Sequence, residues 1–589
     1  KAMKKYIIFS GLMLYTFSVL GQGLLNNGAH IVVGAGAYCV TNGSDGNITN
    51  TTGLIDLTGT LKLTGNFINN ATEAAAFGVL ASGSEVIFSG SGAQLVDGAS
   101  AVVFRFPKLS VSANSSVQIA AGKQVTLEGD LVNEGAFTLK SDADNGAATL
   151  LTNSGFSGAG QFNMEAYMTA GRNWYVSSPV TDAKSAVLNA STNPLYWYDE
   201  ANGSTAPWVA ITDNTTSLSP RAGYISTVAV DGVSTFTGGT YNNTNVIQTV
   251  NRTAGVAKEG FHLLGNPYPA YLDVESAVKT NMVPTFWYRS KNAGNTAYVF
   301  DTYNMASCEG ISLSGKPVTK FIPPMQAFWV RASTSDTPGT ISFDKKNCYH
   351  RDNFNNRRRV VAASDKKLLR LQVSNGTNYD ETLLVFNSQA SDAYDAFDSP
   401  KMSNGSVVIP EIYTKVGSEV LAINGMTAFS SDKVVALGFS TGQQNTFSIK
   451  AAELSGFDAS VQVTLVDKQE NAKYDLTDGR AYSFESGIAN TVDRFEVIFK
   501  SSTTVTDNSA LKSSDIHLAR LDNQRMLITL TEASETEGLA SVCNAAGVVL
   551  FSRPLHEMQT VLSLPFPPGV YVVKAASHGK TKIEKIIIE

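Results

Sequence analysis

Residues 54–70 read LIDLTGTLKLTGNFINN, and this stretch decides the fold of the N-terminal region. Apolar and polar residues alternate over runs of about four residues, which is the period of a β-strand with one buried face. Gly, Asn and Thr separate the runs, and these residues favour tight turns. Runs this short predict strands that stack in a repeating array and do not span a large sandwich.

The same pattern extends over residues 22–160, where the motif at residues 65–70 (GNFINN) reappears at residues 129–134 (GDLVNE). We interpret this region as a β-solenoid-like domain whose successive turns bury inward Leu, Ile, Val and Phe against each other. The motif would then mark stacked turns with the same corner chemistry, with Gly or Asn where positive φ is needed. The alternative is a pair of Gly-rich β-sandwiches.

Composition narrows the class of protein. The chain has 589 residues, of which 43% are apolar and 16% charged, and its formal net charge is −6. An apolar fraction this high supports folded cores, and the length predicts several domains. The net charge is weakly negative, whereas nucleic-acid binding requires an excess of positive charge, so we exclude nucleic acid as a partner. Runs rich in Val, Ile, Thr, Phe and Tyr recur with almost no helical periodicity, so the predicted fold class is all-β.

Residues 1–21 are typical of a signal peptide. Met3, Lys4 and Lys5 are followed by an apolar run to Leu20, and the predicted cleavage site precedes Gln22. The run of about 15 residues is shorter than the roughly 20 that a membrane-spanning helix needs, which disfavours a transmembrane anchor. The predicted cleavage site has no Cys, so a lipoprotein anchor is not indicated. We therefore expect export from the cytoplasm.

Residues 161–346 contain an internal duplication. In order along the chain, the blocks at residues 173–179, 196–198, 220–225 and 234–237 have counterparts at residues 261–267, 286–288, 324–329 and 340–343. We expect two jelly-roll-like β-sandwich copies, at residues 161–250 and 251–346. Aromatic residues at matched positions are interpreted as core anchors, because aromatic stripes on strands usually pack inward.

Further boundaries follow from composition. A basic segment at residues 347–367 is interpreted as a solvated linker, with a polyanion-binding patch as the alternative. Strand-like sequence at residues 368–500 predicts another β-sandwich. The polar run at residues 501–509 is interpreted as a second linker, and residues 510–589 have the length of one small β-sandwich.

The terminal segment resembles the type A sorting domain of type IX secretion cargo. The resemblance rests on a turn around Gly547, the hairpin sequence Pro568-Gly569-Val570-Tyr571 and a terminal strand that contains Lys585, all in the family's order. It implies that the type IX translocon recognises residues 510–589 after passage through the periplasm. It also implies sortase-like processing, attachment to surface lipopolysaccharide, and a location at the outer-membrane surface or outside the cell.

Upstream segments are similar to modules common in large surface cargo of such bacteria, so the resemblance covers most of residues 160–589. One departure is Pro324-Met325-Gln326, where the family more often has Gly in place of Met. Because Met adopts positive φ less readily than Gly, we expect a different turn type there. The resemblance transfers no catalytic residue.

The sequence offers little for catalysis or cofactors. Residues 438–442 (GFSTG) match a nucleophile-elbow pattern, but strand-like sequence on both sides predicts a hairpin or bulge instead. The six His residues are scattered without metal-ligand spacing. Asp142, Asp144 and Asn145 could hold calcium through oxygen ligands, although the closing Glu of a calcium loop is missing. We expect no catalytic residue and, apart from such a calcium ion, no cofactor.

Cys308 and Cys348 lie in the same predicted copy, and an oxidising compartment would permit a disulfide between them. Sequence alone does not show whether their Cα atoms come within about 7 Å, so an unbridged pair is the alternative. Cys39 and Cys543 have no plausible partner nearby.

Two functions from different classes remain. The first is a non-catalytic structural or adhesive surface protein exported by the type IX pathway. The second is a glycan-binding or polysaccharide-degrading accessory protein, in which exposed Trp side chains stack on sugar rings. The candidates for that platform are Trp174, Trp197, Trp208, Trp287 and Trp329. We prefer the first function, because no motif defines a reactive centre.

Overall fold

The computed structural model describes the chain except residues 1–5, 10–22, 44, 72–76, 100–102, 189–193, 352–365, 502–515, 523, 531–537, 545–547, 556, 578–579 and 589. The described residues form strands and short 3₁₀ turns and no α-helix, which confirms the all-β prediction. None of the described segments is a helix with the length and hydropathy needed to cross a membrane. The chain divides into two compact units, residues 1–502 and 503–589.

A β-solenoid of about six turns opens the first unit. Apart from strand β1, the predicted signal peptide lies outside the described residues. The strands of this region are β1 (Tyr6–Phe9), β2 (Leu24–Asn26), β3 (His30–Val33), β4 (Tyr38–Thr41), β5 (Ile48–Asn50), β6 (Leu54–Leu57), β7 (Thr60–Leu63), β8 (Phe67–Asn69), β9 (Phe77–Leu80), β10 (Glu85–Phe88), β11 (Ala93–Gly98), β12 (Val103–Phe106), β13 (Lys108–Val111), β14 (Ser116–Ile119), β15 (Gln124–Leu127), β16 (Leu131–Asn133), β17 (Ala136–Leu139), β18 (Ser141–Asp142), β19 (Gly146–Ala147), β20 (Thr149–Thr152), β21 (Phe156–Ser157) and β22 (Gln161–Met168).

The solenoid strands pair in parallel on three faces. Face one contains β2, β5, β8, β11, β14, β17 and β22, and face three contains β4, β7, β10, β13, β16 and β21. Face two consists of two sheets, one with β1, β3, β6 and β9 and the other with β12, β15 and β20. The solenoid prediction is therefore confirmed, and the paired-sandwich alternative is wrong for this region.

Ladders of apolar side chains fill the solenoid interior. On face one, the in-register partners are Ile48, Phe67, Val96, Ile119, Leu139 and Met164, all buried. The Phe67 ring centroid lies 5.7 Å from that of Phe77 and 5.5 Å from that of Phe106, both of face two. Because each turn buries its apolar residues against the next, strands of about four residues are long enough to form the core.

Buried Asn residues hold the corners of the solenoid. Asn26, Asn50 and Asn69 end successive strands of face one in register, and Asn50 Nδ2 donates to Asn69 Oδ1 at 2.9 Å. Asn133 ends a strand of face three, where its Nδ2 donates to the carbonyl of Gln161 at 2.9 Å. The repeated motif therefore marks the same corner chemistry on two different faces. The two copies lie in stacked turns of the solenoid, but at different corners, because β8 and β16 do not belong to one sheet.

Two consecutive segments follow the solenoid. Their elements are β23 (Asn173–Val176), β24 (Val180–Thr181), a 3₁₀ turn (Ser185–Val187), β25 (Leu195–Tyr198), a 3₁₀ turn (Glu200–Asn202), β26 (Trp208–Ile211), β27 (Tyr224–Thr227), β28 (Gly232–Gly238), β29 (Thr240–Tyr241), β30 (Val246–Val250), β31 (Phe261–Gly265), β32 (Tyr271–Asp273), a 3₁₀ turn (Val274–Ser276), β33 (Val278–Thr280), β34 (Thr285–Lys291), β35 (Tyr298–Asn304), β36 (Glu309–Ile311), β37 (Phe321–Ile322), β38 (Ala327–Arg331), β39 (Gly339–Phe343), a 3₁₀ turn (Lys345–Asn347) and β40 (Cys348–Tyr349).

The main sheets of the two segments have equivalent strand orders, β23-β27-β25-β26 and β31-β38-β34-β35-β36. Two strands cross the boundaries expected from the sequence. β22, which the sequence analysis placed in the first copy, is the last strand of face one, and β28 pairs antiparallel with it and covers that edge of the solenoid. β30, which the sequence analysis placed in the first copy, pairs with β39 of the second. These exchanges help to join the modules into one compact unit.

Met325 precedes β38 with a φ of 59°, in the left-handed region that favours Gly. The expectation that Met would avoid this conformation is therefore wrong. The Met325 side chain is buried and packs with residues of the solenoid core. Burial of this side chain offsets the cost of the strained backbone, which is why Met is accommodated where Gly would be unstrained.

His350 joins the second segment to the solenoid. Its Nδ1 lies 2.7 Å from Thr149 Oγ1 of β20, and its Nε2 lies 3.0 Å from Thr126 Oγ1 of β15. The side chain is 1% exposed. Burial, with the nearby Arg105 charge as the second cause, lowers the pKa of His350 to about 3. The imidazole is therefore neutral in the folded protein at neutral pH.

His350→Gln is expected to make the free energy of unfolding less sensitive to acid than it is in the wild-type protein. The unfolded chain has an ordinary His pKa near 6.5. As the pH falls from about 6.5 toward 3, the unfolded state binds a proton that the folded state does not, which costs the wild-type protein about 1.4 kcal/mol per pH unit. Free energies of unfolding measured between pH 7 and 4.5 should fall more steeply for the wild type than for His350→Gln. Parallel pH profiles would contradict the buried, neutral His350.

A third module completes the first unit. Its strands are β41 (Lys367–Ser374), β42 (Tyr379–Phe386), β43 (Ser399–Pro400), β44 (Glu411–Val416), β45 (Glu419–Met426), β46 (Val434–Thr441), β47 (Asn445–Ser455), β48 (Val461–Asp467), β49 (Ala472–Asp475), β50 (Tyr482–Ser486) and β51 (Ala489–Ser501). They form a continuous sheet in the order β49-β48-β51-β46-β44-β45-β42-β41-β47-β50, with β43 paired to β45. Phe386, Phe429, Phe457 and Phe499 pack edge to face or stacked in its core.

The second unit is a small β-sandwich with its own core. Its strands are β52 (Ile516–Asp522), β53 (Arg525–Leu530), β54 (Leu539–Asn544), β55 (Val549–Pro554), β56 (Gln559–Ser563), β57 (Gly569–Ser577) and β58 (Lys580–Ile588). One sheet has the order β52-β53-β56 and the other β55-β54-β57-β58. Met526, Ile528 and Leu562 of the first sheet pack with Val542 and Val573 of the second. The core is thus assembled from residues of this unit alone.

Candidate functional site

The Trp residues do not form a shared exposed platform. Trp287 and Trp329 are 0% and 1% exposed, so the platform assignment is wrong for both. Trp287 donates its indole N–H to the carbonyl of Pro400 at 2.9 Å, which fixes it between two modules. Trp174 is half-buried with the Arg172 guanidinium 4.2 Å from its ring centroid, and Trp197 is 39% exposed. By the strand register, Trp174 and Trp197 lie on one face of their sheet and Trp208 lies on the other.

Cys308 and Cys348 are not joined by a disulfide, so the structure has the unbridged alternative. Cys348 lies on β40, opposite Leu272 of β32, whereas Cys308 occupies the turn between β35 and β36 with a φ of 56°. Burial raises the pKa of the Cys348 thiol, which makes it unreactive at neutral pH. Cys39 and Cys543 are also unbridged.

The candidate calcium loop is closed by its own hydrogen bonds. Asp142 Oδ1 accepts the backbone N–H groups of Asp144 and Asn145 at 3.0 and 2.6 Å, and Asn145 Nδ2 donates to Asp142 Oδ2 at 2.9 Å. These bonds lower the pKa of Asp142 and stabilise the hairpin between β18 and β19. The described part of the chain has no group of three or more His, Cys, Asp or Glu side chains placed to hold a metal ion.

Ser440 of the GFSTG sequence lies within β46, between β44 and β51. The register of β46 against β51 shifts between Leu437 and Phe439, so the bulge prediction is confirmed. A nucleophile elbow needs a sharp turn from a strand into a helix, and this antiparallel strand does not provide one.

The ends of the basic segment are held by hydrogen bonds, while residues 352–365 lie outside the described residues. Lys345 Nζ donates to the carbonyl of Ser154 at 3.4 Å, and Lys366 Nζ pairs with Glu309. These lysines therefore bind the protein itself.

The sorting-motif residues lie on or beside β57 and β58, except Gly547, which is outside the described residues. Tyr571 is buried, and its hydroxyl donates to the carbonyl of Pro567 at 2.8 Å, which ties the start of β57 to the turn before it. Pro568, Val570 and Lys585 are exposed, and Gly569 begins β57 opposite Ile588.

A cleft of about 480 Å³ opens where the two duplicated segments and the third module meet. The first segment contributes residues of β23, β25, β26 and β27, and the second contributes Lys258 and residues of β34, β35 and β38. The third module contributes the loop of residues 403–405 after β43. The cleft is thus built from residues far apart in the sequence.

Aromatic rings form one wall of the cleft. Tyr175 stacks on Trp208, with centroids 6.1 Å apart and planes 15° apart, and Trp329 meets both rings edge to face. Trp329 and Tyr175 are buried, whereas Trp208 and the neighbouring Tyr196 are only half-buried. Trp208 and Tyr196 therefore present ring surface to the cleft, and Trp329 holds Trp208 in place.

Two cations stand beside these rings. The Arg289 guanidinium carbon lies 4.3 Å from the Tyr298 ring centroid, and its Nη1 donates to the Tyr175 hydroxyl at 3.3 Å. Lys258 lies on the loop before β31 with a φ of 58°. Its pKa is lowered by partial withdrawal from water and then by the Arg289 charge. Lys258 is exposed and Arg289 is half-buried. Within the described chain, no carboxylate lies within 4.0 Å of either cation.

Asn404 lines the same cleft with its side-chain nitrogen buried below the surface. Its Oδ1 accepts the Phe300 N–H at 3.1 Å, while its Nδ2 has no acceptor among the described residues. Behind the loop, Glu411 Oε1 accepts the Ser403 hydroxyl at 2.9 Å and the Asn404 N–H at 2.7 Å. The lining thus supplies cations and aromatic faces to the cleft. Among the described residues, the lining contains no pair of carboxylates of the kind that glycoside hydrolysis uses.

Sequence reasoning missed Lys258, Arg289 and Asn404. Lys258 and Arg289 belong to the second segment and Asn404 to the third module, and no spacing rule connects them. Trp208 and Trp329 were singled out only as members of the Trp set. One signal was available in the sequence. The block that contains Trp329 matches the block at residues 220–225 of the first copy, and this match predicted that Trp329 is buried. The buried Trp329 forms the back wall of the cleft.

Comparison with known proteins places the chain in a family. Residues 72–499 match a family model described as a domain of unknown function, DUF8693. The chain belongs to the DUF8693 family. The matched region takes in most of the solenoid, both duplicated segments and the third module, and therefore the whole cleft.

A curated relative extends the comparison beyond the DUF8693 region. The minor fimbrium subunit Mfa5 of Porphyromonas gingivalis is 21% identical over 530 residues, which cover 81% of this chain and 41% of Mfa5. The chain thus spans less than half of that relative's length. A solved structure titled as the BSP domain of a biofilm associated protein is 10% identical and covers 72% of this chain and 92% of its own. Its TM-score is 0.14, which supports no structural conclusion.

Proposed function

We propose that this protein is a non-catalytic structural or adhesive protein of the bacterial cell surface or the extracellular space, exported through the type IX pathway with residues 510–589 as its secretion signal. The observation that carries the proposal is the separate core of residues 503–589. A domain with its own core can be recognised, and removed, without unfolding what precedes it. This proposed function requires two partners, the type IX translocon and the sortase-like processing machinery.

The similarity to a minor fimbrium subunit supports the surface location and the adhesive class. The first unit supports it in a second way. Its solenoid and three modules exchange strands and share cores, as in the cluster of Val299, Ile311, Leu383 and Ile423. Such packing gives a stiff scaffold, and its many loops offer binding surface.

Deleting residues 510–589 is expected to leave a folded protein trapped in the periplasm, because the terminal sandwich has a core of its own. The measurement is fractionation of a bacterium with an active type IX system, with the melting temperature of the purified truncated chain as the test of folding. Deleting residues 1–21 should instead retain the protein in the cytoplasm, which separates the two export steps. Surface display of the chain that lacks residues 510–589, in normal amounts, would refute the secretion role.

A further inference from the structure

We propose that the cleft between the duplicated segments and the third module binds a sugar ring that carries a carboxylate, such as a hexuronic acid residue of an acidic polysaccharide. This inference rests on the proposed adhesive function and names its ligand class. The first supporting observation concerns the two cations. Lys258 and Arg289 share one cleft without a carboxylate partner in the described chain, although like charges repel. An anionic ligand would relieve that repulsion and supply the partner for both.

Arg289 defines the part of the ligand that the cations contact. It presents a planar guanidinium already oriented by the Tyr298 ring and the Tyr175 hydroxyl. A guanidinium held in this way matches the two oxygens of a carboxylate.

The aromatic faces define the rest of the ligand. Trp208 and Tyr196 present half-buried rings in the same cleft as the cations. Sugar rings offer flat C–H faces that pack on aromatic rings, and a hexuronic acid holds its carboxylate directly on that ring. An acidic peptide carries its carboxylates on flexible stems, which would reach the cations and leave the rings uncovered. A volume of about 480 Å³ lies within the range of small-ligand sites and suits a short oligosaccharide.

The test is calorimetric titration of the purified full chain with a galacturonic acid tetrasaccharide, a galactose tetrasaccharide and an oligoglutamate peptide. We expect the acidic sugar to bind at least tenfold more tightly than the neutral sugar and the peptide, and more weakly as salt rises. Lys258→Gln and Arg289→Gln should each weaken binding of the acidic sugar by tenfold or more. Trp208→Ala should weaken it as well, which a purely ionic site would not show.

Lys291→Gln is the matched control. Lys291 Nζ lies 4.3 Å from the same Tyr298 ring but is not part of the cleft lining, so binding should stay within twofold. Melting temperatures close to the wild-type value establish that the variants are folded. Equal affinity for the neutral sugar, preference for oligoglutamate, or no binding of the acidic sugar at millimolar concentration would each overturn the proposal. Because the titration uses purified protein, its failure leaves the export experiments unaffected.

Discussion

Trp287→Ala is expected to lower the free energy of unfolding by about 3–5 kcal/mol. The indole is fully buried, meets the Phe261 ring edge to face at 5.1 Å, and donates its N–H to the Pro400 carbonyl at 2.9 Å. Truncation would leave a cavity and an unpaired carbonyl at the junction of the second segment and the third module. The loss of unfolding free energy is measured by denaturant unfolding, with hydrogen exchange of the amides in β34 and β38 as the readout.

Trp197→Ala is the control for this prediction, because Trp197 is 39% exposed and its loss should cost at most about 1 kcal/mol. Phe328→Ala should behave like Trp287→Ala, since the Phe328 ring is buried between Phe286 and Phe343. If Trp287→Ala kept its unfolding midpoint and lost affinity for a sugar, the core role of Trp287 would be wrong and the platform alternative would return.

The second large effect is expected at the buried ion pair of Asp467 and Arg494. Arg494 Nε and Nη2 donate to the Asp467 carboxylate at 3.1 and 2.8 Å, and the guanidinium carbon lies 4.7 and 4.8 Å from the ring centroids of Phe484 and Phe495. Arg494→Ala would leave a buried carboxylate without its partner. We expect Arg494→Ala to lower the free energy of unfolding of the third module by about 3–5 kcal/mol, as measured by denaturant unfolding.

The control for the ion pair lies on the surface of the same module. Arg480 pairs with Asp478, and both side chains are exposed. Arg480→Ala should leave the unfolding midpoint where it is, because solvent screens an exposed pair. The double substitution Asp467→Leu with Arg494→Met should cost less than the sum of the two single changes, since it leaves no uncompensated charge. Additive losses would show that the two side chains act independently.

The sequence was sufficient for the solenoid because its signal is local. Each short run, such as residues 60–63, carries its own alternation and its own turn residues, and neighbouring turns repeat them. The length of a turn was not predictable in the same way. The motif recurs because Asn69 and Asn133 each place a hydrogen-bonded amide at a buried corner, although they lie on different faces. A repeated motif therefore reports shared chemistry and not shared position.

Strand exchange between modules was also beyond the sequence. Nothing in residues 246–250 shows that they pair with residues 339–343, because any strand with a free edge can pair with another. The same holds for Met325, whose positive φ depends on burial against the solenoid. In the cleft, the aromatic residues could be identified as core anchors, but the meeting of Lys258 and Arg289 with Asn404 depends on how the second segment and the third module pack.

The location of the full chain tests the central claim most directly. Intact cells of a bacterium with an active type IX system would be treated with a protease that does not cross the outer membrane, and the protected fragments identified by mass spectrometry. A surface protein should lose peptides of residues 23–501 from intact cells, while a periplasmic marker survives. Full protection of those peptides until the outer membrane is opened would contradict a role at the cell surface.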